Sequence, residues 1–286
     1  MDLQWYPGHM AKTRRLITEN LKLIDVIVEM IDARVPFSGR NPDFDDLLGS
    51  KPRIVVMNKA DLADDKRSAM WEKYYTDLGS KCIYANSLAG KNTDKIISEA
   101  KNLLSDRIEK DAQRGLNRSI KLMIVGIPNV GKSSLINRLS GKAGAKTGDR
   151  PGVTKGKQWI RLKNGVELLD TPGILWPKFE NQQIGMKLAF IGSIRDEIID
   201  VEELCMNLLG YLKENYTEEL KARYKLDKDI ENMENFELLE YIGKKRGFVI
   251  SGGEIDTYRA ANVILDEFRS AKIGKITLET PEEIES

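Results

Sequence analysis

Cysteine and histidine are almost missing from this 286-residue chain, which has two of the first and one of the second. That scarcity excludes a disulfide scaffold and any metal site built on cysteine and histidine. Cys82 falls in the apolar stretch Lys81-Cys82-Ile83-Tyr84-Ala85 and Cys205 in a helical pattern over 204–208, so both read as reduced core residues. Long hydrophobic runs are missing too, and none reaches the roughly 18 residues that cross a bilayer. The opening residues Met1-Asp2-Leu3-Gln4-Trp5-Tyr6-Pro7 have neither a basic leader nor an apolar export segment. A cytoplasmic location with no membrane partner is therefore expected.

Net charge is also small, +1, in a composition of 41% hydrophobic and 31% charged residues that suits an ordinary soluble protein with one large core or two modest ones. The balance conceals an asymmetry. Residues 1–177 hold 30 Lys and Arg against 21 Asp and Glu, whereas 178–286 hold 15 against 23. A basic first part suits nucleic acid or another polyanion, although basic surface can also be merely solubilising. The most basic stretch carries Lys142, Lys146, Arg150, Lys155, Lys157, Arg161 and Lys163 against Asp149 alone.

Apolar runs predict strands over 25–31, 53–57, 81–85, 121–125, 157–162 and 166–169, with helical spacing over 9–23, 64–78, 93–112 and 132–140. Such alternation implies a mostly parallel sheet flanked by helices. Residues 113–118 read as a polar linker. Beyond Pro177 only helices are expected, over 199–215, 217–225, 234–244 and 254–270, with acidic faces. The fold class is thus α/β, a domain over 1–177 followed by a small all-helical domain over 178–286.

Gly126-Ile127-Pro128-Asn129-Val130-Gly131-Lys132-Ser133 is a P-loop, placed between a strand and a helical run that opens with Ser134. Its glycines let the backbone wrap phosphates, Lys132 neutralises them, and the Ser133 hydroxyl can ligate Mg²⁺. A P-loop identifies a phosphate site and leaves the base open. Asn58-Lys59-Ala60-Asp61, after the strand at 53–57, resembles the NKxD element of P-loop GTPases, in which the Asp carboxylate accepts from guanine N1 and its exocyclic amine. Asn86-Ser87-Leu88 fits the loop that meets guanine O6. Asp170-Thr171-Pro172-Gly173 looks like the DxxG element, with Asp170 at Mg²⁺ and the Gly173 amide at the γ-phosphate. Thr154, in Arg150-Pro151-Gly152-Val153-Thr154, could complete the Mg²⁺ shell.

The order is rotated, because NKxD at position 58 precedes the P-loop at position 126. Spacings within each half survive, so the topology is that of a circularly permuted GTPase rejoined near 113–118. The rotation also runs the segment after Gly173 straight into the helical part, so loss of the γ-phosphate could move it.

This order, with Trp5-Tyr6-Pro7-Gly8-His9-Met10, Asp32-Ala33-Arg34-Val35-Pro36 and a helical C-terminal part, closely resembles the bacterial ribosome biogenesis GTPase A family over essentially the whole chain. The resemblance implies GTP hydrolysis to GDP in late assembly of the large ribosomal subunit, stimulated by the ribosomal particle, with rRNA contact through the C-terminal helices. A GTP-gated binding switch with incidental slow hydrolysis is the alternative. Lys244-Lys245-Arg246 is the clearest local candidate for rRNA, and a monomer is expected. Ile174-Leu175 stands where Ras-type enzymes place a water-orienting glutamine, so His9 becomes the candidate for that task beside Lys132 and Thr154. Its plainer role is to contact phosphate or cap the helix that follows. Asn129 suggests K⁺ beside the phosphates, or is simply a loop residue.

Overall fold

The computed structural model describes residues 7–141, 158–162, 165–176 and 181–285. A six-stranded sheet is built from β1 (Val26–Asp32), β2 (Arg53–Asn58), β3 (Lys81–Tyr84), β4 (Ile120–Gly126), β5 (Gln158–Arg161) and β6 (Val166–Asp170), in the spatial order β3-β2-β1-β4-β6-β5. All neighbours are parallel except β5, which runs antiparallel to β6. Each expected strand is present. The central strand β1 is buried along its full length, as a parallel strand covered on both faces must be.

Alternation along the strands assigns the two faces. Val26, Val28, Met30, Ile54, Val56, Leu122, Ile124 and Leu168 look toward one core with Leu135 and Ile136 of α6 (Lys132–Ser140) and Ile96 of α4 (Thr93–Leu103). Ile27, Met123, Val125 and Leu169 look the other way, toward Ile17 of α1 (Pro7–Leu21) and Phe44 and Leu48 of α2 (Asp43–Leu48). Ile31, Val55 and Met57 on that face meet Trp71 and Tyr75 of α3 (Asp65–Asp77), whose first turn is capped by Asp64 accepting from the Arg67 amide.

The expected helix over 93–112 is two helices, α4 and α5 (Ser105–Gln113), because the chain turns at Leu104. Residues 114–119 lead from α5 into β4. The remaining elements are α7 (Gln182–Phe190), a 3₁₀ turn at Asp196–Ile198, α8 (Val201–Asn215), α9 (Thr217–Tyr224), α10 (Asn235–Lys245), α11 (Thr257–Arg269) and α12 (Glu282–Glu285). Asp200 and Asp256 cap α8 and α11 through their side-chain oxygens. Leu204, Cys205, Leu208 and Leu212 of α8 join Leu238, Leu239 and Ile242 of α10 and Ile264, Leu265 and Phe268 of α11 in the same apolar cluster as the first sheet face. Both cysteines are free; Cys205 is buried and Cys82 half-buried.

After α11 the chain returns to the sheet. The Ile276 amide donates to the Leu62 carbonyl at 3.1 Å and the Leu278 amide to the Arg34 carbonyl at 2.8 Å. Buried Glu279 accepts from the amides of Phe37 and Ser38 and from the Ser38 hydroxyl, at 2.5, 2.9 and 2.7 Å. Among the described residues, no helix is long and apolar enough to cross a membrane.

Candidate functional site

Parallel strands deliver their C-terminal ends to one edge, and that edge carries every described motif. Asp32 ends β1, Asn58 ends β2, Asn86 follows β3, the P-loop leaves β4 and Asp170 ends β6.

The P-loop is shaped by close approach. Gly126 has φ +151° and Gly131 φ +100°; a Cβ on the first would strike the Met30 carbonyl and on the second the Asn58 amide. Gly173 also lies flush, since a Cβ there would come within 2.7 Å of the Pro128 backbone and 3.0 Å of Lys132 Nζ. The Lys132 ammonium is buried and donates to the carbonyls of Gly126 and Ile127, at 3.1 and 2.7 Å. Burial lowers its pKa to about 8, against the opposing pull of Asp170. Val130 is buried, and Ser133 and Ser134 sit half-buried in the first turn of α6.

Asn58 joins three loops. Its Nδ2 donates to the Val130 carbonyl at 2.7 Å, while its Oδ1 accepts from the Ser87 amide and hydroxyl at 2.9 and 2.7 Å. Asn86 folds its own loop by accepting from the Ala89 amide, and Arg138 of α6 holds that loop from outside by donating to the Ala89 carbonyl at 2.7 Å. Lys59, at φ +58°, places Nζ 3.0 Å from the buried Asp32 carboxylate, and Asp61 is exposed beside it. Asp32 also accepts from Nε and NH2 along one edge of the Arg34 guanidinium, each at 2.9 Å. Burial alone would raise the Asp32 carboxyl, but Arg34 and Lys59 outweigh it and hold it far below the usual range.

Asp170 is the one carboxylate at the phosphate side among the described residues. Its Oδ1 is buried with no hydrogen-bond partner there, and burial raises its pKa to about 6 despite Lys132 and the Thr171 amide. A buried oxygen in that condition is stabilised by a hard cation, and with the Ser133 hydroxyl on the neighbouring helix the donors are all oxygen, as Mg²⁺ requires. No cluster of three or more acidic, cysteine or histidine residues suited to a metal occurs among the described residues, so such a site draws on hydroxyls and substrate oxygens.

Ile174, the residue in place of glutamine, is buried at 4% exposure in the cluster shared by α1 and α2, and its carbonyl accepts from Asn41 Nδ2 at 3.4 Å. His9 lies in the first turn of α1, but its side chain is outside the described residues, as are Thr154 and Lys142, Lys146, Arg150, Lys155, Lys157 and Lys163. Arg161 of the basic stretch pairs with Glu167 at 3.2 Å. In the Lys244-Lys245-Arg246 cluster, Lys245 pairs with Asp227 at 3.0 Å and Arg246 with Glu267 at 3.0 Å, which leaves Lys244 as the one of the three without an ion pair among the described residues. Asn129, at φ +58°, donates its Nδ2 to the Gly192 carbonyl at 2.7 Å, and the Ser193 hydroxyl donates to the Pro128 carbonyl at 3.0 Å.

Sequence reasoning passed over Asp32 and Arg34 as site residues, and Arg138, Gly192 and Ser193 altogether. A glycine just beyond an apolar helical run, Gly192, was the available signal for a helix end near the site.

The family described as 50S ribosome-binding GTPase matches residues 121–243, and the RsgA GTPase family matches 49–180, a span that holds NKxD ahead of the P-loop. The ribosome biogenesis GTPase A of Bacillus cereus is 48% identical over 284 residues, covering 99% of this chain and 95% of its own length. A GDP-bound structure of TM YlqF aligns with a TM-score of 0.64 at 30% identity, covering 94% of this chain and 100% of that one. The GNP-bound YlqF of T. maritima gives 0.63 at 30%, over 95% and 99%.

Proposed function

Since the chain belongs to the ribosome biogenesis GTPase A family and hydrolyses GTP as a ribosome assembly factor, we propose that GTP lies across the C-terminal edge of the sheet, with its base at β2 and β3 and its phosphates at β4 and β6. The observation that carries this reading is the junction at Asn58, which ties the guanine loops to the P-loop by side-chain hydrogen bonds of 2.7–2.9 Å.

Asp61 accepts from guanine N1 and the exocyclic amine, Lys59 flanks the base, and the loop at Asn86 and Ser87 meets O6. Adenine lacks the donor pair and would leave the Asp61 carboxylate unpaired, so GTP is selected over ATP. Amides of 129–134 cradle the phosphates, Lys132 turns from the Gly126 and Ile127 carbonyls to the β and γ oxygens, and the Gly173 amide reports the γ-phosphate. Ser133, Thr154 and Asp170 hold Mg²⁺, which supplies neutralisation of charge on the transferring phosphoryl. K⁺ beside the phosphates would take the side-chain oxygen of Asn129, the atom of that amide able to ligate a cation.

Ile174 cannot orient water, so His9 does so when the partner brings it to the γ-phosphate. Support comes from the shared apolar cluster of Ile17 on α1 and Ile174. The partner is the precursor of the large ribosomal subunit and its rRNA, met by the monomeric, cytoplasmic protein through the basic stretch over 142–163 and through Lys244. The burial of Ile174 also favours a second reading, a GTP-gated binding switch whose slow turnover is incidental.

Turnover measured with and without large-subunit particles separates the two. Stimulation that is lost in His9→Ala supports the first, while no stimulation by the particle leaves only the switch. Cross-linking to rRNA in the GTP state identifies the surface.

A further inference from the structure

We propose that Arg269 is a positioning residue of the nucleotide site, joining its guanine end to its phosphate end through the last turn of α7; this rests on the placement of GTP given above.

The last carbonyls of a helix have no partner within it. At the end of α7, Gly192 takes φ +75°, its amide returns to the Ala189 carbonyl at 3.0 Å, and the Ser193 amide returns to the Leu188 carbonyl at 2.9 Å. This is the paired closure that a left-handed glycine allows. Arg269 completes it from α11. Its Nε donates to the Phe190 carbonyl at 3.0 Å and its NH2 to the Ala189 carbonyl at 2.9 Å, while Asp196 holds the guanidinium at 2.7 and 2.8 Å.

The turn fixed in this way is the one that grips the P-loop. Gly192 offers its carbonyl to Asn129 and Ser193 its hydroxyl to Pro128, the residue on which Gly173 also packs. Asn129 is a non-glycine residue in the left-handed region, a conformation that outside contacts must help to hold.

The same arginine faces the guanine end through its backbone. Its carbonyl accepts from Arg34 NH1 at 3.2 Å, and the Arg34 guanidinium lies 5.6 Å from the centre of the Phe268 ring. The rest of that guanidinium is bound to Asp32, which binds Lys59. Hydrogen bonds and ion pairs therefore run from Lys59 through Asp32 and Arg34 to Arg269, and from Arg269 through the backbone of the last turn of α7 to Asn129 and Pro128. This route crosses helices of the C-terminal part, and it is separate from the direct tie at Asn58. A series of contacts becomes coupling only when the two ends respond to each other, and that response is measurable.

The test is GDP affinity of the full chain, read with a fluorescent guanine nucleotide, in a cycle of Ser193→Ala at the phosphate end and Lys59→Ala at the guanine end. With Arg269 present, the combined effect departs from the product of the two single effects by at least about threefold. In Arg269→Met the departure disappears and the affinity for GDP falls roughly tenfold. An arginine that served stability alone would lower the melting temperature and leave the two effects multiplicative in both backgrounds, which overturns the proposal. If Arg269→Met does not fold, Asp196→Asn, at a partly exposed carboxylate, releases the fork and must shrink the departure. An undiminished departure in that variant overturns the proposal as well. Lys132→Ala keeps the two levels distinct. A wild-type chain that binds no GDP, or binds it unchanged without Lys132, overturns the placement of nucleotide and the proposal with it. Binding that Lys132→Ala abolishes, with no departure in the cycle, overturns the proposal alone.

Discussion

The guanine end and the phosphate end of the site are fixed by different physical means. At the guanine end, polar side chains do the holding: Asn58 satisfies three partners, and a buried carboxylate, Asp32, binds two cations. At the phosphate end the backbone is shaped by missing side chains, at Gly126, Gly131 and Gly173, and the charges there, Lys132 and Asp170, lie buried at pKa values moved toward neutrality. The first end is arranged to stay as it is. The second holds two charges that burial disfavours.

Breaking the guanine end should cost the most in stability. Asp32→Ala strands Arg34 in the interior without its counter-charge, for about 3–5 kcal/mol, and urea denaturation of the nucleotide-free protein should show it. Because the folded-state pKa of Asp32 is depressed, its contribution is complete above the normal carboxylate range and is lost only as the solution falls into strong acid. At the phosphate end, Lys132→Ala should do the opposite. Turnover should drop on the order of 10²-fold or more, while the nucleotide-free protein melts no lower, since burial of that ammonium is unfavourable at neutral pH.

Between the two ends, Asn58→Ala should cost roughly 1–3 kcal/mol in nucleotide affinity by leaving the Val130 carbonyl and the Ser87 amide unpaired. Equal losses for GTP and GDP would mark Asn58 as a tie between loops; a loss for GTP alone would shift it to the phosphate end. The smallest effect is one of pH. With Asp170 at about 6, Mg²⁺ must displace a proton below that value, so apparent Mg²⁺ affinity should fall about tenfold per pH unit there and stay flat above it. Asp170→Asn should remove the slope.

The same contrast explains what could be read from sequence. Glycines, Lys132 and the NKxD tetrapeptide act locally, within a strand and the turn that follows, so their spacing was legible. All six strands were legible too, most plainly β1, β2 and β4, because buried parallel strands are nearly continuous apolar runs. Three helices escaped: α2 is only six residues long and opens after Pro42, α7 follows Pro177 without an acidic first turn, and α12 is a single turn of four residues. The break at Leu104 escaped because the apolar spacing continues across it. Arg269 escaped for a deeper reason. Its partners Ala189 and Arg34 lie 80 and 235 positions away, and no local pattern encodes a contact at that separation.

Glu279 gives this distance a meaning in time. Its carboxylate closes the turn at Phe37 and Ser38 from 242 and 241 positions downstream. At roughly 5–20 residues per second, synthesis reaches it some tens of seconds at most after the turn has been made. Through that interval the amides of Phe37 and Ser38 have water as their partner in place of Glu279. An assembly factor for ribosomes thus closes the turn that follows its own first strand only when a ribosome has translated as far as Glu279.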